Sequence, residues 1–164
     1  MEVKVKNVTF GNKLPLALIC GPCQIESREH TLGLAEKLKV ITERLGIGFI
    51  FKASYDKANR TSVTGKRGVG LEKGLAILDE VRKTFDIPVI TDVHEAWHCE
   101  KAAKAVDILQ VPAFLCRQTD LVVAAAGNVK GFVKACKNTR RGLLDKSSDD
   151  MSFTAQSRYA SLGL

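Results

Sequence analysis

The sequence predicts an α/β fold made of parallel βα units, and three observations predict it. Short apolar runs of strand length alternate with stretches of helical period. Gly or Pro punctuates many of the junctions. Chemically equipped residues gather after the strands and not before them, which is how parallel βα architectures place their sites.

Val3 to Phe10 alternates loosely between apolar and polar residues, is interrupted near Asn7, and is followed by the turn signal Gly11-Asn12; a small antiparallel hairpin is expected. Leu14 to Ile19 is an apolar run stopped by Cys20-Gly21-Pro22, the pattern of a strand covered on both faces. Ser27 is placed to cap a helix, and Leu34, Leu38, Ile41 and Leu45 recur at helical steps until Gly46 ends the run, predicting an amphipathic helix over 28–45. Gly48 to Lys52 gives a second strand, and the Gly-rich stretch 65–70 leads into a helix marked by Leu71, Leu75, Leu78, Val81 and Phe85. Pro88 to Thr91, Ile108 to Val111 and the helical stretches 100–106 and 119–126 continue the alternation. After residue 127 it stops. Scattered single apolar residues there follow no period of two or 3.6, so 128–164 is expected to be a divergent, poorly ordered tail and 1–127 the folded domain.

The first strand end is followed by Cys23, Gln24, Glu26 and Ser27, and the second by Lys52, Lys57 and Arg60 among hydroxyls and an amide. Three cations leaving one strand end suit a multiply charged anion, phosphate first, although a solvated basic loop has the same composition. The third end carries Asp92, His94 and Glu95, and the fourth Gln110, Arg117 and Gln118. One site rimmed by four loops is expected. Asp92 could be a base, a helix cap or the ion-pair partner of a nearby lysine, Cys23 alone reads more readily as a buried small thiol than as a metal ligand, and His94 could simply finish its strand. His30, His98 and Trp97 fall on predicted helix surfaces or edges.

At 164 residues, with 45% hydrophobic and 26% charged composition, the chain reads as a soluble globular domain. No apolar run approaches a membrane span, and Met1 opens onto alternating residues unlike a secretory signal, so the expected address is cytoplasmic. Five cysteines, an odd number without repeating spacing, predict reduced thiols. The net charge of +7 raises nucleic-acid binding as a class, but seven cations and three anions lie after residue 127, leaving eighteen against fifteen before it. The excess belongs to the tail, which has only Phe132, Phe153 and Tyr159 for stacking. Neither a nucleic-acid nor a membrane partner is expected.

Four motifs in order carry a resemblance: Gly21-Pro22-Cys23-Gln24-Ile25-Glu26-Ser27, the run from Phe51 to Ser62 containing Lys57-Ala58-Asn59-Arg60, Thr91-Asp92-Val93-His94-Glu95, and Gln110 to Leu121. Together they strongly resemble the 3-deoxy-D-manno-octulosonate 8-phosphate synthase family, also called 2-dehydro-3-deoxyphosphooctonate aldolase, over about residues 1–127. The resemblance implies the N-terminal half of a (β/α)8 barrel and a transferase that condenses phosphoenolpyruvate with arabinose 5-phosphate in lipopolysaccharide sugar synthesis, releasing phosphate. By matching positions, Lys52 and Lys57 would hold phosphoenolpyruvate. Asn59 and Arg60 would hold arabinose 5-phosphate, Arg60 reaching a neighbouring subunit's site. Gln110 and Ala113 would line the pocket floor, and Lys57 and Asp92 would act in catalysis. Cys23 matches the metal ligand of the family's metal-dependent branch, implying a divalent ion whose other ligands, a His, a Glu and an Asp, are expected to be absent from this chain. A homo-oligomer acting on small phosphorylated substrates is implied.

A full barrel needs about 250 residues and eight strands, whereas four strands can be placed here. Asn128-Val129-Lys130 is similar to the opening of the family's fifth strand but follows Asp120 too closely, and the composition changes at the same point, as a change of reading frame would leave it. Three outcomes follow: an active synthase, an inactive fragment, or a half-barrel that works once a second chain completes it. A basic-tailed nucleic-acid binder is the reading from another class.

Overall fold

A computed structural model describes residues 2–58, 60, 62–128, 131–134 and 143–145, the last two stretches as strand backbone. It opens on an antiparallel hairpin, β1 (Glu2–Val5) and β2 (Val8–Gly11). The hairpin turns at Lys6-Asn7, with Lys6 at φ 50°, and not at Gly11-Asn12. Gly11 instead closes a separate turn onto Leu14, whose N–H donates to the Gly11 carbonyl at 3.1 Å. That turn occupies the start of the apolar run, so β3 begins only at Ala17 (Ala17–Cys20).

Four βα units follow: β3 with α1 (Arg28–Arg44), β4 (Gly48–Lys52) with α2 (Leu71–Phe85), β5 (Val89–Asp92) with α3 (Ala96–Ala105), and β6 (Ile108–Val111) with α4 (Thr119–Asn128). Two further strands, β7 (Gly131–Lys134) and β8 (Leu143–Asp145), lie in the stretch where the sequence pattern places none. The sheet order is β3-β4-β5-β6-β7-β8, parallel throughout except for the antiparallel β7–β8 pair. This is a partial (β/α)8 barrel, as the resemblance implies, and its parallel βα units are those of the sequence pattern. The remainder of 128–164 lies outside the described residues. No described helix is long and apolar enough to cross a membrane.

The two-residue period of a strand sorts these side chains. Phe49, Phe51, Val89, Leu109 and Val111 point outward into a core shared with Leu75, Leu78 and Val81 of α2, Cys99 and Ala102 of α3, and Leu121 and Ala125 of α4. Ile50, Ile90 and Ile108 point inward, where Val3, Val5 and Val8 of the hairpin close the barrel floor beneath them. α1 is capped as expected, Ser27 Oγ accepting the His30 N–H at 3.1 Å. Its buried face, however, is Thr31, Ala35 and Thr42, while Ile41 and Leu45 of the expected stripe are 45% and 59% exposed. The reason is position: α1 packs on β4 and, on one side, on α2, and it is the outermost described helix at the β3 edge of the sheet. α3 starts at Ala96, four residues earlier than its apolar pattern suggests.

Candidate active site

The inward positions two residues beyond the isoleucine layer are Lys52 on β4, Asp92 on β5 and Gln110 on β6, by strand parity. Asp92 and Gln110 are direct partners in the parallel register, and Val93 N–H donates to the Gln110 carbonyl at 3.0 Å. The same Ile-x-polar ending on three successive strands, Ile50/Lys52, Ile90/Asp92 and Ile108/Gln110, was present in the sequence as a signal for this layer.

Beyond Lys52 the chain stays extended. Thr91 Oγ1 donates to the Ala53 carbonyl at 2.8 Å, Ser54 bridges in parallel to Gln24, and Ile25 N–H donates to the Ser54 carbonyl at 3.0 Å. The loop leaving β3 crosses close above Lys52. A Cβ on Gly21 would sit 2.1 Å from the Lys52 carbonyl oxygen, so only glycine fits there.

These contacts hold Ser54 Oγ at the centre of the charged groups. It donates to Asp92 Oδ1 at 2.5 Å and accepts from Lys52 Nζ at 3.0 Å and Lys57 Nζ at 2.7 Å, which saturates a hydroxyl. Lys52 Nζ also lies 3.6 Å from Asp92 Oδ1, so Asp92 is an ion-pair partner. His94 Nε2 is 3.0 Å from Asp92 Oδ2, while His94 Nδ1 is buried without a partner among the described residues. Each ammonium carries three donors, so both keep donors for an incoming anion.

The charges are shaped by burial. Burial lowers the Lys52 ammonium from its ordinary value, Asp92 offsets part of this, and the like charge of Lys57 adds to it. Burial also opposes ionisation of Asp92, but the His94 hydrogen bond, the Lys52 charge and the Ser54 hydroxyl outweigh it and hold the carboxyl well below the usual carboxylate range. Asp92 is therefore an ionised acceptor at neutral pH. Two clustered ammoniums beside one carboxylate make a pocket wall that favours a phosphate or carboxylate group.

The lysine loop is braced from outside. Lys57 N–H donates to the Arg67 carbonyl at 2.6 Å, and Arg67 grips Asp56 through two bonds of 2.9 and 2.5 Å. The Arg60 guanidinium lies on the carbonyls of Lys57, Ala58 and Val63, and its Nε is buried without a partner among the described residues. Asn59 lies outside the described residues. Ala113 opens the short 3-10 turn Ala113–Leu115 after β6, and Cys23 is exposed on the loop after β3. Among the described residues no three His, Cys, Asp or Glu side chains stand together as metal ligands would. They do not make a divalent-metal site around Cys23.

Sequence pattern left Ser54 unnamed as the hub and put His98 on a helix surface. His98 is buried and hydrogen-bonded to Tyr55 at 3.0 Å, whereas Trp97 beside it is exposed as expected.

Comparison with known proteins gives consistent results. The model of the DAHP synthetase I family matches residues 1–159. A protein named 2-dehydro-3-deoxyphosphooctonate aldolase from Granulibacter bethesdensis is 65% identical over 123 residues, 75% of this chain and 44% of the relative. Proteins of the same name from Bartonella tribocorum and Rickettsia prowazekii are 58% identical over 125 residues and 60% over 124, in each case 76% of this chain and 45% of the relative. The chain thus spans about half the length of the curated relatives it matches.

Proposed function

The chain belongs to the DAHP synthetase I family, and from that premise we propose that it carries the phosphoenolpyruvate wall of a carbon–carbon bond-forming transferase. The reaction is condensation of phosphoenolpyruvate with D-arabinose 5-phosphate to 3-deoxy-D-manno-octulosonate 8-phosphate and phosphate. The enol C3 bonds to the aldehyde carbon, water adds at C2, and the C2–O bond breaks to release phosphate. The name borne by the curated relatives supports this choice of substrates. The observation that carries it is the convergence of Lys52 and Lys57 on Ser54 beside Asp92.

In this reading Lys52 and Lys57 bind phosphoenolpyruvate, and Lys57, on the less buried loop, follows the departing phosphate. Asp92, held ionised, accepts from hydroxyls of the sugar at the reacting end. Asn59 and Arg60 take the arabinose phosphate, for which Arg60 exchanges loop carbonyls for phosphate oxygens. Gln110 and Ala113 form the floor. The enzyme is a cytoplasmic homo-oligomer acting on small phosphorylated substrates. The test is phosphate release from phosphoenolpyruvate with and without arabinose 5-phosphate, beside a Lys57→Ala control. Release that needs the sugar and falls at least about 100-fold in the control supports the reading. Release equal to the control, with no phosphoenolpyruvate bound, overturns it.

A second reading is favoured by the exposed apolar side chains Leu16, Val40, Ile41 and Leu45 beside the sheet edge at β3. Here turnover requires a further polypeptide covering that edge. Phosphoenolpyruvate binding by this chain alone, with turnover only when such a chain is added, distinguishes it from the first.

A further inference from the structure

Behind the lysine end of β4 lies a buried polar pair that the condensation reading leaves unused. The Tyr55 hydroxyl is 3.0 Å from His98 Nδ1, and the two residues are 1% and 8% exposed. The Tyr55 ring stands edge-on to both imidazoles, its centroid 5.9 Å from His94 and 5.8 Å from His98, and the imidazoles are 6.4 Å apart at 87°. His94 is thus held from two sides while its Nε2 rests on Asp92.

The α2 side of the structure is shaped to receive Tyr55. A Cβ on Gly74 would lie 2.3 Å from Tyr55 Cβ, one on Gly68 would lie 2.6 Å from its carbonyl oxygen, and Gly70 N–H donates to that oxygen at 3.1 Å. Burial first, then the charges of Asp92 and Asp56, push the phenol far above its ordinary value, so it remains a proton donor. We assign the phenol as donor and His98 Nδ1 as acceptor, which puts the ring proton on Nε2. The charged and titratable groups that bear on this imidazole are Asp56 after β4, His94 and Glu95 after β5, and Lys101 on α3, the last paired with Glu72 of α2. Burial and His94 favour its neutral form, in keeping with the acceptor role.

We propose that Tyr55 and His98 are positioning residues: their hydrogen bond holds the His94 imidazole with Nε2 on Asp92 and leaves Nδ1 as a bare acceptor for a hydroxyl group of substrate or water. This rests on the reading of the Asp92 cluster as the substrate site, and the test separates the two. The chain has three histidines, so their ring nitrogens can be followed by 15N NMR in the free protein, with exposed His30 as internal reference. Tyr55→Phe should move the signals of both His98 and His94 and leave those of His30 in place. His98→Gln, whose amide oxygen accepts from Tyr55, should keep His94 close to its wild-type signals, whereas His98→Leu should not. Phosphoenolpyruvate affinity should follow the same order, about tenfold weaker in Tyr55→Phe and His98→Leu and nearly unchanged in His98→Gln. A packing role would give another order, with Tyr55→Phe harmless and His98→Gln no better than His98→Leu. That order, or His94 signals unmoved in Tyr55→Phe, overturns the proposal. Failure of the wild-type chain to bind phosphoenolpyruvate counts against the condensation reading, and the NMR comparison then decides the positioning role by itself.

Discussion

α1 and α2 follow neighbouring strands of one sheet and carry similar apolar stripes, yet only one of them is buried. α2 packs between α1 and α3, and Leu75, Leu78 and Val81 are buried in the core. α1 lies at the β3 edge, and Ile41 and Leu45 face outward. An apolar stripe therefore records which face a closed barrel would bury, while the sheet decides which face is covered in this chain. The anion cluster stands on β4 and β5, inside the covered part.

The largest expected effect breaks the comparison directly. Leu78→Ala should destabilise the chain by about 3–4 kcal/mol, the usual toll of a core cavity, while Ile41→Ala should stay within about 0.5 kcal/mol; urea unfolding measures both. Equal losses would mean that the α1 stripe is covered in solution. Next comes Gly74→Ala. Its new methyl would meet Tyr55 Cβ, so Tyr55 and the adjoining Ser54 must shift, at about 1–3 kcal/mol of overpacking. Thermal melting and phosphoenolpyruvate binding should both suffer, and a variant with wild-type values in both would show that the cradle is slack.

Much of the covered part was legible in the sequence. Ile108–Val111 and the helix from Leu71 to Phe85 stand where period and punctuation put them. Lys52, Lys57 and Asp92 meet because parallel strands deliver their carboxyl ends to one place. What was not legible depends on contacts distant in sequence. The Tyr55–His98 bond spans 43 residues, and a histidine within helical period looks like surface until its partner is known. That polar member of the buried face also hid the first turn of α3, where His98 and Cys99 are buried ahead of Ala102. The hairpin turn at Lys6-Asn7 falls where the alternation is interrupted, whereas the turn chemistry of Gly11-Asn12 serves the neighbouring bend.

The third effect is a pH dependence confined to the covered part. Asp92 has a folded value below its unfolded one. Its contribution is present above the unfolded value, near pH 4, and is lost as pH falls through the folded value. At least about 1.4 kcal/mol, the worth of one pKa unit, should disappear on that acid limb. Asp92→Asn should flatten the limb in urea titrations taken from pH 5 to pH 2. An unchanged slope would place the titrating carboxylate elsewhere.

The smallest effect uses the same chemical change as the Gly74 variant at the other helix. Gly33 sits inside α1, and an added Cβ there meets nothing within 4 Å. Gly33→Ala should raise stability by about 0.5–1 kcal/mol, because alanine loses less backbone entropy in a helix and no neighbour has to yield. Gly33→Ala and Gly74→Ala should therefore differ in sign, one reporting helix propensity at an open face and the other packing at a closed one. A loss at Gly33 in thermal melts would require some group to lie against that face of α1 in solution, and the edge would then be covered like the centre.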